Sequence, residues 1–418
     1  MDKLLISGGR RLAGSVPVSA AKNAVLPLFA ASVLTEQPVT IRGVPAISDA
    51  LCMAQILREL GAEVTFTGGD VTIDSASSRS HEIPPSLTRE LRSSVFMLGS
   101  LLTRFRRALI AYPGGCDIGL RPIDMHLAAL RRLGVEIDEH DGYIFCKCDR
   151  LRGADLSLDF PSVGATENVL LAAVRAEGRT TLRGAAREPE IVDLENFLNA
   201  MGAKIAGAGT DVIVIEGVKS LHGVTYTPMK DRIEAGTYLI AAAVCGGEIE
   251  TEGVAPENIG LLLHKLRENG CKIGAKNDKI RLESAGKLRC NRRIETMPFP
   301  GFPTDLQAQI AALNSGAEGC ALIVENLFET RFKYVPELIK MGADIEVKGR
   351  TAFIRGAGRL HGATLLAGDL RGAAALVVAA LGAEGTSEVL DLSHLDRGYE
   401  DLPHKLRKLG ADIKRVRV

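Results

Sequence analysis

The sequence predicts an α/β protein of two domains, each built from three repeated helix–strand–helix–strand units. Three observations support this: one glycine-ended helix recurs six times, a second and wholly apolar helix precedes each copy, and alternating segments typical of strands lie between them. At 418 residues the chain is too long for one ordinary core, whereas three of these units make a domain of usual size.

The recurring helix is amphipathic and ends at a glycine that precedes an alternating segment. The six glycines are separated by 73, 68, 68, 72 and 68 residues, and the pattern favours a helix whose C-cap leads into a strand. The copies are "ILRELGAEV", "ALRRLGVEI", "FLNAMGAKI", "KLRENGCKI", "LIKMGADIE" and "KLRKLGADI", with Gly61, Gly134, Gly202, Gly270, Gly342 and Gly410.

The second helix of each unit lies about 25 residues upstream and is rich in Ala, Leu and Val on nearly every face, which predicts burial all round. The six segments are "KNAVLPLFAASVLTE", "RSSVFMLGSLLTRF", "GATENVLLAAVRAEG", "RIEAGTYLIAAAVCGG", "TDLQAQIAALNSGAEG" and "LRGAAALVVAALGAEG". We expect three such helices inside a ring of sheets and amphipathic helices. An α-solenoid is the alternative, and strand segments such as "RTTLRGA" and "DVIVIEG" argue against it.

The repeat count sets the predicted domain limits. The first domain spans 21–228 and the second 229–418, completed by a strand within residues 1–20, "KLLISGG". The reason for adding the N-terminus is that "RRLAGSVPVSAAKNA" echoes "GRLHGATLLAGDLRGAA" near the other end of the sequence.

Composition excludes several classes of function. The 51 basic and 51 acidic residues cancel, and the lack of Trp with 4% aromatics disfavours a base-stacking nucleic-acid binder. No segment resembles a signal peptide or a membrane span, and eight cysteines suit free thiols in a reducing compartment, so we expect a cytoplasmic protein. The "CKC" at 146–148 lies in an alternating strand pattern and is not expected to bind metal.

Basic residues recur at two positions of the repeat. They stand at the starts of the buried helices (Lys22, Arg92 and Arg371) and of the amphipathic helices (Arg121, Arg331 and Arg397). Helix N-termini together with Lys or Arg bind phosphates and carboxylates. Equivalent loops of a repeat protein share one face, so we expect these residues to line a basic cleft between the domains; the alternative for any single Arg is a solvated surface charge.

Cys116 is the first candidate for proton transfer. It follows "PGG" and precedes Arg121-Pro122, which we expect to form the first turn of the next helix. A thiol near a helix N-terminus and an arginine has a lowered pKa, so it can exchange protons or attack near neutral pH. The alternative is a small buried residue, which we expect for Cys52, Cys245, Cys271 and Cys320.

Asp305, in "FPTDLQAQ", is the second candidate. It begins a buried helix, where it either caps the helix or takes a proton from a hydroxyl group beside the basic cleft. The sequence leaves both roles open.

Several motifs together resemble the family of UDP-N-acetylglucosamine enolpyruvyl transferases. They cover residues 19–400, and the cysteine loop with its Arg-Pro pair and "EPEIVD" are highly specific. The motifs are "SAAKNAVLP", "PGGCDIGLRPIDMHL", "SVGAT", "AAREPEIVDLENFL", "FPTDLQAQ", "RFKYVPEL", "DLR" and "LDRGYE".

The resemblance implies the enolpyruvyl-transferase fold, two inside-out α/β barrel domains of three repeats each. It implies transfer of the enolpyruvyl group of phosphoenolpyruvate to the 3-hydroxyl of UDP-N-acetylglucosamine with release of phosphate, the first committed step of peptidoglycan precursor synthesis. It implies no cofactor, metal, nucleic acid, membrane insertion or protein partner. A reactive intermediate kept from water would give the loop 112–121 the role of a lid.

The resemblance also implies roles for individual residues. Cys116 is the acid at the enolpyruvyl carbon and the target of fosfomycin, Asp305 deprotonates the 3-hydroxyl, and Lys22 and Arg397 also belong to the catalytic set. The phosphoenolpyruvate contacts are Lys22, Arg92, Arg121, Arg331, Arg371 and Arg397. The nucleotide-sugar contacts are Asn23, Arg121, Pro122, Ile123, Asp124, Met125, Pro161, Ser162, Val163, Gly164, Thr304, Asp305 and Leu327.

Three other functions remain to be distinguished. The sister transferase that acts on shikimate 3-phosphate shares the sixfold repeat, but the cysteine loop and "EPEIVD" argue against it. A non-catalytic nucleotide-sugar sensor is disfavoured because Cys116, Asp305 and the six basic residues are all retained. A structural repeat scaffold is disfavoured for the same reason.

Overall fold

The computed structural model describes residues 2–114, 118–119 and 121–417. These residues form two compact units, each with its own hydrophobic core. They are unit 1 (residues 2–19, 118–119, 121 and 230–417) and unit 2 (residues 20–114 and 122–229).

Helices occur in both units, and the described residues contain thirteen α-helices and five short 3-10 helices. The α-helices are α1 (Lys22–Ala31), α2 (Ser48–Glu59), α3 (Pro85–Glu90), α4 (Met97–Phe105), α5 (Asp124–Arg132), α6 (Val163–Ala173), α7 (Pro189–Ala200), α8 (Arg232–Cys245), α9 (Gly260–Glu268), α10 (Gln307–Ser315), α11 (Val335–Lys340), α12 (Leu370–Gly382) and α13 (Leu402–Lys408). The 3-10 helices are Ser32–Leu34, Arg92–Phe96, Pro256–Ile259, Thr304–Leu306 and Leu395–Arg397.

The two predicted kinds of helix are confirmed. Helices α1, α4, α6, α8, α10 and α12 are buried along nearly their whole length, whereas α2, α5, α7, α9, α11 and α13 each keep an exposed face. The six repeat glycines that follow the second set all have φ between +91° and +101°. Glycine is favoured there because a side chain would strain that backbone conformation.

The strands are short and lie between the two kinds of helix. They are β1 (Asp2–Ser7), β2 (Leu12–Pro17), β3 (Val39–Ile41), β4 (Glu63–Thr67), β5 (Asp70–Asp74), β6 (Arg107–Ala111), β7 (Glu136–His140), β8 (Tyr143–Lys147), β9 (Asp155–Ser157), β10 (Arg179–Arg183), β11 (Lys204–Ala206), β12 (Val212–Glu216), β13 (Thr225–Tyr226), β14 (Gly247–Glu252), β15 (Lys272–Lys276), β16 (Lys279–Ser284), β17 (Arg293–Glu295), β18 (Cys320–Val324), β19 (Asp344–Lys348), β20 (Thr351–Arg355), β21 (Thr364–Leu366), β22 (Thr386–Leu390) and β23 (Asp412–Arg417).

These strands form three sheets in each unit. In unit 2 the orders are β13-β3-β5-β4, β6-β8-β7 and β11-β12-β10-β9. In unit 1 they are β15-β16-β14-β2, β17-β18-β20-β19 and β21-β22-β1-β23. The α-solenoid alternative is therefore wrong, since every repeat contributes to a sheet.

Strands from distant parts of the chain complete the repeats. β1 lies antiparallel between β22 and β23, with Leu4 opposite both Val389 and Arg415. β2 runs parallel to β14, and in unit 2 β13 runs parallel to β3. In the other repeats, the corresponding position in the sheet is filled by a strand from the same stretch of sequence.

The buried helices fill the interior of each unit. In unit 1 the core includes Tyr238 of α8, Ile310 of α10 and Val377 of α12. In unit 2, Phe29 of α1 and Leu170 of α6 are fully buried. No helix among the described residues is long and apolar enough to span a bilayer.

Three local predictions are wrong. Cys245 of α8 is half-buried rather than buried. Arg121-Pro122 does not form the first turn of a helix, because α5 begins at Asp124 with Ile123 as its N-cap. Cys320 is exposed rather than buried, since it begins β18 with its side chain away from the core.

The prediction for "CKC" is confirmed as a strand. Cys146 lies in β8, and burial raises the pKa of its thiol to about 12. Burial likewise raises the pKa of Cys245 to about 12 and of Cys271 to about 11, so these thiols are poor nucleophiles.

Candidate active site

Asp305 of unit 1 is clamped by two arginines. It lies in the 3-10 helix that precedes α10, and its carboxylate is 26% exposed. Oδ1 accepts a hydrogen bond from Nη2 of Arg331 and Oδ2 one from Nη2 of Arg371, both at 2.7 Å. The N-cap of this 3-10 helix is Pro303, so the helix-capping alternative for Asp305 is wrong. We call Asp305, Arg331 and Arg371 the Asp305 group.

Both arginines of this group are almost wholly buried, and backbone structure fixes one of them. Arg371 is in the first turn of α12, where the N-cap Asp369 accepts hydrogen bonds from the amides of Arg371 and Gly372 at 3.0 Å. Burial alone would lower the pKa of Arg371, but the charge of Asp305 outweighs this and the pKa is raised. The guanidinium therefore keeps its positive charge inside the unit.

Polar side chains surround the Asp305 group. The Tyr399 hydroxyl lies 3.4 Å from Nη1 of Arg371 and 2.9 Å from Oγ1 of Thr237. Gln309 donates a hydrogen bond to the Asp305 carbonyl at 3.0 Å. Nε of Arg331 is buried without a hydrogen-bond acceptor among the described residues, and such a donor calls for water or a ligand.

The loop before α5 contributes Arg121 to unit 1. Its Cζ lies 5.3 Å from the centroid of the Phe328 ring, and the nearby carbonyl of Ile118 accepts a hydrogen bond from the Thr330 amide at 3.1 Å. Cys116 lies outside the described residues, so its role remains a prediction.

The other predicted residues of unit 1 are half-buried in short connections. Arg397 ends the 3-10 helix Leu395–Arg397. Thr304 donates its hydroxyl to Oε2 of Glu325 at 2.9 Å, and Leu327 donates its amide to Oε1 of Glu325, also at 2.9 Å. One buried carboxylate thus holds both segments.

In unit 2, Lys22 forms an ion pair that the sequence did not predict. Lys22 is the first residue of α1, and its Nζ lies 2.6 Å from Oδ2 of Asp49 in the first turn of α2. Asp49 is buried, whereas Asn23 is half-buried beside Lys22. The ion pair therefore orients the ammonium group of Lys22.

The backbone of the segment after β6 contributes to holding Arg92. It begins a 3-10 helix, and its Nη1 donates to the Pro113 carbonyl at 3.1 Å. Burial lowers the pKa of Arg92, which shows that its charge is partly desolvated.

The two predicted nucleotide-sugar segments of unit 2 begin helices. The N-cap Ser162 accepts the Ala165 amide at 3.3 Å, which opens α6. The side chains differ in exposure: Pro122 and Asp124 are exposed, Ile123 is buried, and Met125, Pro161, Ser162, Val163 and Gly164 are half-buried. Ile123 can thus offer a ligand its backbone but not its side chain.

His126, Asn168 and Gly164, which we call the His126 group, connect these segments. The Asn168 amide donates to the Val95 carbonyl at 2.9 Å and lies 2.8 Å from Nδ1 of His126, while its Oδ1 accepts the Gly99 amide. These bonds assign Nδ1 as an acceptor, so the proton is on Nε2. A Cβ on Gly164 would lie only 2.9 Å from Cε1 of His126, which explains glycine there.

The structure brings several of the predicted residues into direct contact. In unit 1, Asp305, Arg331 and Arg371 are in contact, and Arg121 shares the Phe328 ring with Arg331. The prediction missed Asp49 as a partner of Lys22, as well as Phe328, Glu325, His126 and Asn168. The only signal in the sequence was proximity to quoted motifs, since none of these residues has a spacing that indicates its contact.

Comparisons with known proteins cover the whole chain. The family model for EPSP synthase (3-phosphoshikimate 1-carboxyvinyltransferase) matches residues 6–406. UDP-N-acetylglucosamine 1-carboxyvinyltransferase 2 of Caldanaerobacter subterraneus subsp. tengcongensis is 51% identical over 422 residues, covering 100% of both chains.

Solved structures agree on the fold. The enolpyruvyl transferase NikO from Streptomyces tendae has a TM-score of 0.88 at 29% identity, with 99% of each chain covered. EPSP synthase from Acinetobacter baumannii has a TM-score of 0.74 at 18% identity, with 100% of each chain covered. The predicted enolpyruvyl-transferase fold is confirmed. The chain belongs to the EPSP synthase family, and within it to the UDP-N-acetylglucosamine 1-carboxyvinyltransferases.

Proposed function

We propose that this protein transfers the enolpyruvyl group of phosphoenolpyruvate to the 3-hydroxyl of UDP-N-acetylglucosamine and releases phosphate. The observation that carries this proposal is the full-length identity of 51% to a relative with that name. On this proposal, the reaction is the first committed step of peptidoglycan precursor synthesis and the protein acts in the cytoplasm. The identity to a solved EPSP synthase is only 18%, which shows a shared fold and no more. It therefore gives no support to shikimate 3-phosphate as the acceptor.

Asp305 is the proposed acceptor of the hydroxyl proton. Its carboxylate oxygens each lie 2.7 Å from a guanidinium nitrogen, of Arg331 and of Arg371. These ion pairs offset its charge and fix its position. An incoming anion that binds the same guanidinium groups would compete for them and release the carboxylate to act as a base. Binding of phosphoenolpyruvate would in this way prepare the proton acceptor.

The basic residues suit the proposed intermediate. Attack of the sugar oxygen on carbon 2 and protonation of carbon 3 give a tetrahedral species with both a phosphate and a carboxylate. Loss of phosphate and of a proton from carbon 3 then forms the product. The proposed anion contacts are Lys22, Arg92, Arg121, Arg331, Arg371 and Arg397. The proposed sugar-nucleotide contacts are Asn23, Arg121, the segments 122–125 and 161–164, Thr304, Asp305 and Leu327.

Cys116 is the proposed acid for carbon 3. This role rests on the motif "PGGCDIGLRP", and the same thiol is the proposed site of alkylation by fosfomycin. We further propose that the reaction uses no cofactor or metal and that the loop 112–121 excludes water when it covers the substrates.

The test is phosphate release from phosphoenolpyruvate with UDP-N-acetylglucosamine or shikimate 3-phosphate as acceptor, repeated on Cys116→Ala. We expect release only with the nucleotide sugar and a collapse of turnover in the variant. Fosfomycin should add its mass to the wild-type protein and not to Cys116→Ala. Release with shikimate 3-phosphate would assign the sister activity, and no release with either acceptor would favour a nucleotide-sugar sensor.

A further inference from the structure

The turn that follows β18 is organised by a fully buried carboxylate. Oε1 of Glu325 accepts hydrogen bonds from Oγ1 of Thr296 at 2.8 Å and from the amides of Leu327 at 2.9 Å and Phe328 at 3.1 Å. Its Oε2 accepts the hydroxyl of Thr304 at 2.9 Å. Because both oxygens are used, the turn is fixed against the segment that carries Asp305.

The turn presents the half-buried ring of Phe328 to two cations. Cζ of Arg121 lies 5.3 Å from the ring centroid and Cζ of Arg331 lies 5.7 Å from it. Both distances lie within the range of cation–π attraction, which is largest where the cation is desolvated. Arg331 is already paired with Asp305, and the ring adds an attraction that both guanidinium groups share.

The same turn contacts the loop that carries Arg121. The Thr330 amide donates to the Ile118 carbonyl at 3.1 Å, and a Cβ on Gly119 would lie 3.0 Å from the Glu329 nitrogen. Glu329 is itself ion-paired to Arg350, whose Nη1 donates to the Asn326 carbonyl at 3.0 Å. Arg121 is thus positioned by its backbone and by the Phe328 ring together.

We propose that Phe328 is a positioning residue that prearranges Arg121 and Arg331 for the anion of the substrate, with Glu325 holding the ring in place. This inference rests on the proposed function, in which both arginines contact phosphoenolpyruvate. Arg331 also holds Asp305, so the ring acts on the anion contact and on the proton acceptor through one guanidinium.

Replacement of the ring tests this role. In Phe328→Leu, which keeps an apolar side chain without a π face, we expect kcat/KM for phosphoenolpyruvate to fall by about 10- to 100-fold. Arg121 is also a proposed nucleotide-sugar contact, so the KM for UDP-N-acetylglucosamine should rise as well, but by a smaller factor than the KM for phosphoenolpyruvate, for which both Arg121 and Arg331 are proposed contacts. Phe328→Tyr retains the π face and should restore most of the activity.

A matched control is present in the same unit. Cζ of Arg355 lies 4.9 Å from the ring of Phe353 in β20, away from the candidate site residues. Phe353→Leu, like Phe328→Leu, removes an aromatic ring that contacts an arginine. We expect the kinetics of Phe353→Leu to match those of the wild type. Thermal melting of all three variants identifies any loss of fold.

A double-mutant cycle with Arg121→Met separates positioning from general packing. We expect Arg121→Met to cost at least fivefold less in the Phe328→Leu background than in the wild type. The proposal would be overturned if the losses of kcat/KM in Arg121→Met and Phe328→Leu simply multiply in the double variant. Equal losses of kcat/KM in Phe328→Tyr and Phe328→Leu would overturn it as well.

Calorimetric binding of phosphoenolpyruvate makes the result independent of turnover. If the wild type binds phosphoenolpyruvate but releases no phosphate, the proposed function fails, while weaker binding in Phe328→Leu still supports the positioning role. Equal binding by the wild type and Phe328→Leu, or no binding by the wild type, contradicts that role.

Discussion

Four candidate residues of unit 1 form one set of charged and aromatic contacts, whereas the contacts described for unit 2 are of different kinds. Asp305 contacts two buried arginines directly, and one of these shares a ring with Arg121. In unit 2, Lys22 pairs with Asp49, Arg92 with a backbone carbonyl, and the turn at Gly164 packs on His126.

The difference has an energetic consequence. Within the Asp305 group, removal of one charged side chain leaves the charge of its buried partner uncompensated. The effects of substitutions there should therefore be large and non-additive. In unit 2, each group has its own support, and substitutions should affect one substrate at a time.

The largest expected effect is that of Asp305→Asn. The variant loses the proposed proton acceptor and leaves Arg331 and Arg371 without their anionic partner, so we expect kcat to fall by about 10²- to 10⁴-fold. Phosphate release under saturating substrates measures it.

The control for Asp305→Asn is Asp344→Asn, which breaks an exposed ion pair with Arg355 in the same unit. It should stay within about twofold of the wild type because exposed pairs contribute little. Turnover of Asp305→Asn within tenfold of the wild type would assign the proton transfer to another group.

A smaller and more selective effect is expected from Gly164→Ala in unit 2. The added Cβ would meet Cε1 of His126 at 2.9 Å and Nε2 at 3.1 Å, so the turn or the ring must move. We expect the KM for UDP-N-acetylglucosamine to rise by about tenfold with little change in the KM for phosphoenolpyruvate, as steady-state kinetics would show.

Two companion variants sharpen this prediction. Gly260→Ala in α9 adds a methyl group where no atom lies within 4 Å and should leave both KM values unchanged. His126→Ala introduced into Gly164→Ala removes the steric conflict and should recover part of the loss. A double variant as impaired as the sum of both changes would show that the ring is not the cause.

The last expected effect concerns stability rather than turnover, at a residue outside the candidate site. Burial, together with the charge of Glu190, raises the pKa of Asp193 to about 6 despite hydrogen bonds from Tyr226 and Met229. Because the folded state holds this proton more tightly, the group stabilises the fold below about pH 4, and that contribution is lost as pH rises through 6.

Denaturant unfolding from pH 4 to pH 7 tests the sign. This one group should lower the free energy of unfolding by up to about 3 kcal/mol across that range, and Asp193→Asn should remove the decline. Asp211→Asn, at an exposed residue near Arg187, serves as the control and should follow the wild-type profile. A wild-type-like decline in Asp193→Asn would contradict the assignment.

Much of the fold followed from local patterns. The six repeat glycines, the apolar helices and the alternating strands each depend on residues within one stretch of chain, and all were confirmed. Errors arose where a short signal competed with tertiary context. Pro122 suggested a helix start that α5 places at Asp124, and Cys320 was expected in the core but lies on the exposed face of β18.

By itself the sequence determined the repeat architecture, the family and a set of candidate residues, because apolar periodicity and contiguous motifs are properties of the chain. Only the tertiary structure decided which charges meet. Asp305 contacts Arg331 and Arg371, 26 and 66 residues further along the chain, and Phe328 lies beside Arg121 and Arg331. Such contacts depend on where separate elements bring their side chains, and no spacing within the sequence encodes that distance.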